Sequence, residues 1–386
     1  MTRSLNHCAA FTGAAELGYQ RGVSEFSTLS LQLQAGLAAA RDAGVAPAEI
    51  DGVIAMSNGS ALAEDFVQAF GIRDLRFSAM VPMGGASPVA ALQLAAAVIQ
   101  AGICRHVLLP TGRDGRGGDA TARIAQLQVF RGVAEFEMPL GAFAAPQLYA
   151  AMARRHMHEY GTRSTDFAEI AVAMRHHAST QPNALMRRPM TIDDHQNSRM
   201  VADPLRLLDC CIDNAGAAAV LVSAPDAARD LRRPPVWLMG AAEGHPDSPL
   251  SITQRPDLTR LGAAKAADRA FAMAGIGRGD IDVACLYDCF TYIVLCQLED
   301  LGFCAKGEGG PFVRGGALKV GGRLPVNPHG GAMSQAHMVG MNHIVEMVRQ
   351  LRGEAANQVP GARHGLVSGY GDLGDGSVAI LCKDTA

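Results

Sequence analysis

The feature that most constrains this chain is a match of the sequence with itself. AGVAPAEIDGVIA at 43–55 aligns without a gap with AGIGRGDIDVACL at 274–286, an offset of 231 residues. An Ala-rich amphipathic stretch precedes each copy, Leu29 to Asp42 in the first and Leu261 to Met273 in the second. In both copies there follow a glycine turn, a segment that opens a short helix, the pair Ile-Asp and an apolar run of strand length. Helices that alternate with short Val/Ile/Leu runs predict parallel sheets covered by helices on both faces. A duplicated α/β core is therefore expected.

The remaining segments fit two halves of unequal regularity. GGASPVAALQLAAAVIQAG at 84–102 predicts a helix with a glycine-rich start, and HVLLPTG at 106–112 a buried strand. From Arg113 to Leu208 charge, His and Met increase and Pro falls irregularly, which reads as an excursion from the core. Within it, 145–161 and 164–179 have helical periodicity, and GAAAVLVS at 216–223 returns to strand. The second half opens after the Pro pair at 234–235. The expected domains are an N-terminal core (1–112 and 209–233), the excursion (113–208) and a C-terminal core (234–386).

Composition narrows the function classes. A chain of 386 residues holds two to three units on a prior of about 150 residues each. A net charge of −3 argues against a nucleic-acid footprint and a polybasic membrane patch. The longest apolar tract, Ala86 to Ile103, is broken by Ser87, Pro88, Gln93 and Gln100, so no membrane insertion is expected. The N-terminal stretch lacks the apolar core of a secretion signal, and nine cysteines without CxxC pairing fit a reducing compartment. A cytoplasmic location follows as an expectation. Cys285, Cys289, Cys296 and Cys304 cluster, but not at the spacing of a structural zinc site. No metal is expected, and the spacing of His329, His343 and His364 adds none.

Four blocks in the last hundred residues carry a resemblance. LYDCF at 286–290, NPHGG at 327–331, AHMVG at 336–340 and SGYGDLGDG at 368–376 follow the order and spacing of the thiolases linked to sterol carrier proteins. HEYGTRSTDFAEIAV and LLDCCIDNAGAAAVLVS extend the resemblance over nearly the whole chain. It implies a dimeric, five-layered αβαβα thiolase fold acting on acyl-CoA thioesters, with coenzyme A as part of the substrate and no separate cofactor. In that family these blocks carry a histidine or asparagine, a histidine, and often a cysteine; here the positions hold Tyr287, His337 and Tyr370. The nucleophilic cysteine of thiolases, at a helix start where its thiolate is stabilised, maps to Gly85, and there is no cysteine between Cys8 and Cys104.

The same loss marks the lipid-transfer-protein-like aldolases that cleave steroid side chains from β-hydroxyacyl-CoA. The segments around Tyr287, at 291–304 and at 341–354 resemble this branch, which implies two catalytic tyrosines and a small OB-fold partner protein. The second tyrosine position is His337 here.

Retro-aldol cleavage needs a base for the β-hydroxyl and donors for the thioester oxygen. Tyr287 is a ready proton donor, and a base only beside a cation or helix terminus. His337 could be that base, or could donate to the thioester oxygen. Tyr370 is the third catalytic candidate. Gly84, Gly85, Asn327, Gly330 and Gly331 are the candidates for the substrate and oxyanion pocket, the glycine pairs standing before two equivalent helices. Asp288 points away from Tyr287 if the segment is extended. Two alternatives stand beside the aldolase: an acetyl-CoA acetyltransferase or 3-ketoacyl-CoA thiolase using a displaced thiol, Cys289 being nearest, and a non-catalytic acyl-CoA-binding subunit.

Overall fold

The structure is a computed structural model that describes residues 4–56, 61–116, 130–247, 251–371 and 373–383. Its framework is nine strands in one ladder: β1 (Ala10–Glu16), β2 (Gly52–Met56), β3 (Phe77–Val81), β4 (His106–Arg113), β5 (Gly216–Ser223), β6 (Val236–Gly244), β7 (Val283–Cys285), β8 (His364–Tyr370) and β9 (Gly376–Cys382). The order across the sheet is β3-β2-β4-β5-β1-β6-β9-β8-β7. At the centre, β1 meets β6 through only two residue pairs, Ala10 with Trp237 and Phe11 with Val236. Read outward from this seam, β1-β5-β4-β2 on one side repeats as β6-β9-β8-β7 on the other. The duplication in the sequence is thus a duplication of sheet topology. Among the described residues no strand takes the place of β3 in the second half.

The helices used below are α1 (Thr28–Ala43), α2 (Ser87–Gln100), α3 (Ala145–Tyr160), α4 (Ser164–Thr180), α5 (Ala263–Ala274), α6 (Thr291–Asp300) and α7 (Met341–Arg352). Helix α1 covers β1, β4 and β5, and α5 covers β6 and β9. Between the half-sheets lie α2 and α7, each against strands of both halves. Five layers result. The outer pairs are drawn close by small residues: a Cβ on Gly13 of β1 would stand 2.1 Å from the Ala39 carbonyl of α1, and one on Gly240 of β6 would stand 2.4 Å from that of Ala270 in α5. Ser27 caps α1 by accepting from the Ser30 N–H, and the helix ends on Gly44 at φ 77°. Its counterpart α5 ends on Gly275 at φ 72°, the left-handed position that favours glycine.

The all-parallel expectation is corrected. β2 runs parallel to β3 and β4, and β7 to β8. β5 is antiparallel to β1 and β4, and β9 to β6 and β8. A parallel pair needs a crossover, usually a helix. β9 instead returns from β8 through a tight turn closed by the Gly371 N–H to Asp375 O hydrogen bond of 2.8 Å, and β5 enters from the excursion.

The excursion is tied to α6, the helix that follows the LYDCF block. His156 of α3 bonds Glu299 at 2.9 Å through Nε2, while its Nδ1 meets Thr162 Oγ1 at 2.9 Å. His195 bonds Asp209 at 2.8 Å, and the Thr291 hydroxyl donates to the same carboxylate oxygen at 2.6 Å. All of these side chains are buried, a setting in which paired polar groups specify one arrangement. Among the described residues no helix is long and apolar enough to cross a membrane, and no group of three or more His, Cys, Asp or Glu could hold a metal ion.

Candidate active site

Tyr287 lies two residues past the end of β7 and is buried. Its backbone is held by its neighbours: Gln297 Nε2 of α6 donates to the Tyr287 carbonyl at 2.7 Å, and Ser368 of β8 donates to Gln297 Oε1 at 2.6 Å. The preceding residue is clamped too. Asn327 accepts from the Leu286 N–H at 2.7 Å and donates to its carbonyl at 2.8 Å, imitating a strand partner from a backbone at φ 49°. With both amide ends used this way, Asn327 orients the Tyr287 segment instead of lining a pocket.

The phenol oxygen of Tyr287 lies 2.8 Å from Nε2 of His337. On the far side of that imidazole, Nδ1 lies 2.6 Å from a guanidinium nitrogen of Arg113, at the end of β4. Asn214 accepts from the His337 N–H at 2.7 Å. Burial, and then the charge of Arg113 with the ring of His343, holds the His337 imidazole well below the ordinary histidine range. The ring is therefore neutral at physiological pH, and its Nδ1 lone pair is already engaged. That removes the first of the two roles anticipated for it, general base.

The loop carrying His337 is conformationally tight. Val339, β-branched, sits at φ 58°, followed by Gly340 at φ 93° at the start of α7. A β-branched residue at positive φ is held there only by its surroundings, and such strain gathers at functional sites. Asp288 supplies part of that hold. Its carboxylate accepts from the N–H groups of Ala332 at 2.7 Å and Met333 at 3.1 Å, and from Nε2 of His343 at 2.9 Å. As its alternation with Tyr287 implied, it points away and organises backbone.

Gly84 and Gly85 form a tight turn leading into α2. The Tyr287 ring lies on Gly85: a Cβ there would stand 2.2 Å from Cζ and 2.5 Å from the hydroxyl. The second glycine pair is placed differently from the sequence expectation. The counterpart of α2 is α7, which follows Gly340, whereas Gly330 and Gly331 open a four-residue helix, Gly331–Ser334. A Cβ on Gly331 would stand 2.1 Å from the Asp288 carboxylate, and one on Gly330 would meet Ala178 at 2.7 Å. The Gly330 N–H donates to Asn327 O at 2.8 Å. These glycines permit close packing of Asp288 and α4.

Tyr370 is not joined to this centre. Its ring packs edge-on against Tyr149 of α3, with centroids 5.5 Å apart, and its hydroxyl faces Met152 Sδ at 3.7 Å. Burial pushes its phenol above the ordinary range, so no proton-shuttling function is supported by its setting. Alternation along β8 accounts for this: Gly369 is the residue whose Cβ would meet Ala86 and the Gly85 carbonyl, and Tyr370 faces the other way.

No activated thiol replaces the missing one among those whose shifts are resolved. Burial pushes Cys104 up to about 11 and Cys304 up to about 12, and raises Cys285 and Cys296 well above the ordinary thiol range. Arg113, Asn214 and His343 are site residues that motif reading missed. Asn214 carried a signal, since it lies in the LLDCCIDNAGAAA block; Arg113 carried none.

Comparison with known proteins identifies the family. Residues 244–383 match the family described as Thiolase C-terminal domain-like. Over 365 residues the chain is 40% identical to a 17-hydroxy-3-oxo-4-pregnene-20-carboxyl-CoA lyase of Mycobacterium tuberculosis, covering 92% of this chain and 94% of that one. An acetyl-CoA acetyltransferase of Methanothermobacter thermautotrophicus is 37% identical over 90% of this chain and 92% of its own. The solved Ltp2-ChsH2(DUF35) aldolase superposes with a TM-score of 0.92 at 36% identity, covering 100% of both chains. Lyase and acetyltransferase are both relatives of this chain. The chain belongs to the thiolase superfamily, in its branch of aldolases, enzymes that break a carbon–carbon bond of an acyl-CoA thioester without a covalent acyl-enzyme.

Proposed function

We propose that the substrate is a β-hydroxyacyl-CoA with a bulky, steroid-like acyl group, cleaved by retro-aldol chemistry in which Tyr287 carries the proton. The reaction moves one proton, from the β-hydroxyl to the α-carbon. As phenolate, Tyr287 takes the β-hydroxyl proton; the hydroxyl-bearing carbon becomes a carbonyl as the Cα–Cβ bond breaks, and its electrons pass into the thioester enolate. Tyr287 then returns the proton to Cα. The products are a carbonyl compound and a shortened acyl-CoA, with no free CoA consumed. His337, at 2.8 Å, steadies charge on the phenol oxygen through both transfers.

The observation that carries this reading is that the Tyr287 ring and hydroxyl fill the space a side chain at position 85 would need. The steroid-like acyl group rests on the named substrate of the mycobacterial lyase. An active homodimer in the cytoplasm, and a small OB-fold protein as second component, belong to the same proposal. The partner is supported by the superposition on an aldolase named for two components, Ltp2 and ChsH2(DUF35).

The test is a mass-spectrometric product assay on β-hydroxyacyl-CoA and β-ketoacyl-CoA panels, with and without free CoA and the candidate partner. Cleavage of hydroxy substrates without free CoA, lost in Tyr287→Phe, is the expected result. CoA-dependent cleavage of keto substrates would replace this reading with a thiolase one.

A further inference from the structure

We propose that Arg113 is a positioning residue that fixes the tautomer of His337, so that the imidazole donates its single N–H to the oxygen of Tyr287. The inference rests on the reading of Tyr287 as the proton carrier and says how that residue is held ready. It follows from which groups can donate.

A guanidinium has five N–H donors and no acceptor. The ring nitrogen that faces Arg113 at 2.6 Å therefore has to present its lone pair. A neutral imidazole carries one proton, which is thereby left on the other nitrogen, 2.8 Å from the Tyr287 oxygen. Turning the ring over would put carbon atoms at both contacts and break them, so the orientation with Nδ1 on Arg113 and Nε2 on Tyr287 is the one that fits. Across the pair the direction is set: guanidinium N–H to imidazole nitrogen, imidazole N–H to phenol oxygen.

Two consequences concern Tyr287. Its own hydroxyl proton cannot point at His337, where a proton already stands. When that proton leaves, the phenolate accepts an N–H polarised by the guanidinium behind it. A charge-assisted chain of this kind favours the ionised form of its terminal oxygen.

The surroundings of His337 favour the neutral ring. Arg113 faces it from the end of β4 and Tyr287 from the segment after β7; His343, from α7, adds to the same effect. The carboxylate that organises this loop, Asp288, is paired to His343. A second proton on His337 would set an N–H against the Arg113 fork. Arg113 is thus tied to the chemistry through an imidazole and need not touch the reacting atoms.

The tautomer is observable without substrate. In protein labelled with nitrogen-15 at histidine, the His337 ring is identified among the 12 histidines by its loss in His337→Gln. The expected spectrum has a protonated Nε2, a hydrogen-bonded bare Nδ1, and no titration between pH 5 and 8. A proton on Nδ1, or titration near the ordinary histidine value, would overturn the proposal. In Arg113→Met the ring should exchange between tautomers, and kcat should fall on the order of 100-fold with KM little changed. Guanidinium ion should restore part of the rate, and Arg113→Lys should keep the tautomer with an intermediate rate. If Arg113→Met fails to fold, the wild-type spectrum and the lysine variant decide. A normal tautomer signature with no cleavage of any β-hydroxyacyl-CoA would sink the proposed function and leave the role of Arg113 standing.

Discussion

Tyr287 and Gly85 cannot both carry a full side chain: the ring of one fills the space the other would need, to within 2.2 Å of a Cβ. Glycine at 85 and tyrosine at 287 depend on one another, although 202 residues separate them in the sequence. Gly85→Cys should accordingly fail to restore thiolase activity. It should push Tyr287 from His337, abolish aldol cleavage, and lower stability by about 1–3 kcal/mol, the usual result of overpacking a filled core. The check is urea unfolding with an iodoacetamide adduct assay; a stable variant that forms an acyl-enzyme would contradict it.

Asp288 holds two stretches on either side of His337 at once, the Ala332–Met333 backbone and the His343 ring, with both side chains buried. Leaving buried donors without their acceptor costs about 1–3 kcal/mol. Asp288→Ala is therefore expected to lose that much stability by urea titration, while His343→Gln, which leaves the backbone bonds to Asp288 in place, should lose less. Equal losses would mean that the backbone bonds carry little of the hold.

Acid should loosen the clamp on Leu286. His177 Nδ1 donates to the Asn327 carbonyl at 3.1 Å, and its Nε2 accepts from the Val320 N–H at 3.1 Å, so both nitrogens are satisfied only in the neutral ring. Burial lowers it to about 4. Between pH 6.5, the ordinary value, and pH 4, the unfolded chain binds the extra proton and the folded one does not. Stability from this group is complete above that window and declines as pH falls through it. His177→Gln should flatten this part of the pH–stability curve; the midpoint of urea unfolding at pH 7 and pH 4.5 measures it.

Glu346 produces the opposite slope. Buried in α7 with only the Gln350 amide on one oxygen, its carboxyl is raised by burial to about 8 from an ordinary 4.5. Here the folded chain holds the proton longer, so stability falls as pH rises from about 4.5 to about 8. Glu346→Gln should match the wild type at pH 4 and exceed it at pH 8. A variant less stable at pH 8 would show that the carboxylate has a partner worth keeping.

The duplicated core was legible because helix periodicity and glycine caps are local, and the two copies carry both. The antiparallel strands were not, because strand direction depends on where the connecting chain returns, and β5 returns only after the long excursion. Tyr287 and His337 were legible through their blocks, and their side chains are in contact. Arg113 was invisible: it ends a strand of ordinary apolar pattern, 224 residues from the histidine it touches. Tyr370 was misplaced because a glycine-rich block hides strand parity; β8 continues in register with β7 through Val367 and Cys285, which turns Gly369, not Tyr370, towards the Tyr287 side.

The half-sheets meet along a short seam, yet Gly85 and Arg113 come from one half and Tyr287 and His337 from the other. Neither repeat contains a working set of groups, so the ancestral unit cannot be recovered by cutting the chain in two. Substitutions remote from the centre that shift how one copy of the fold is seated against its sibling should therefore change the rate.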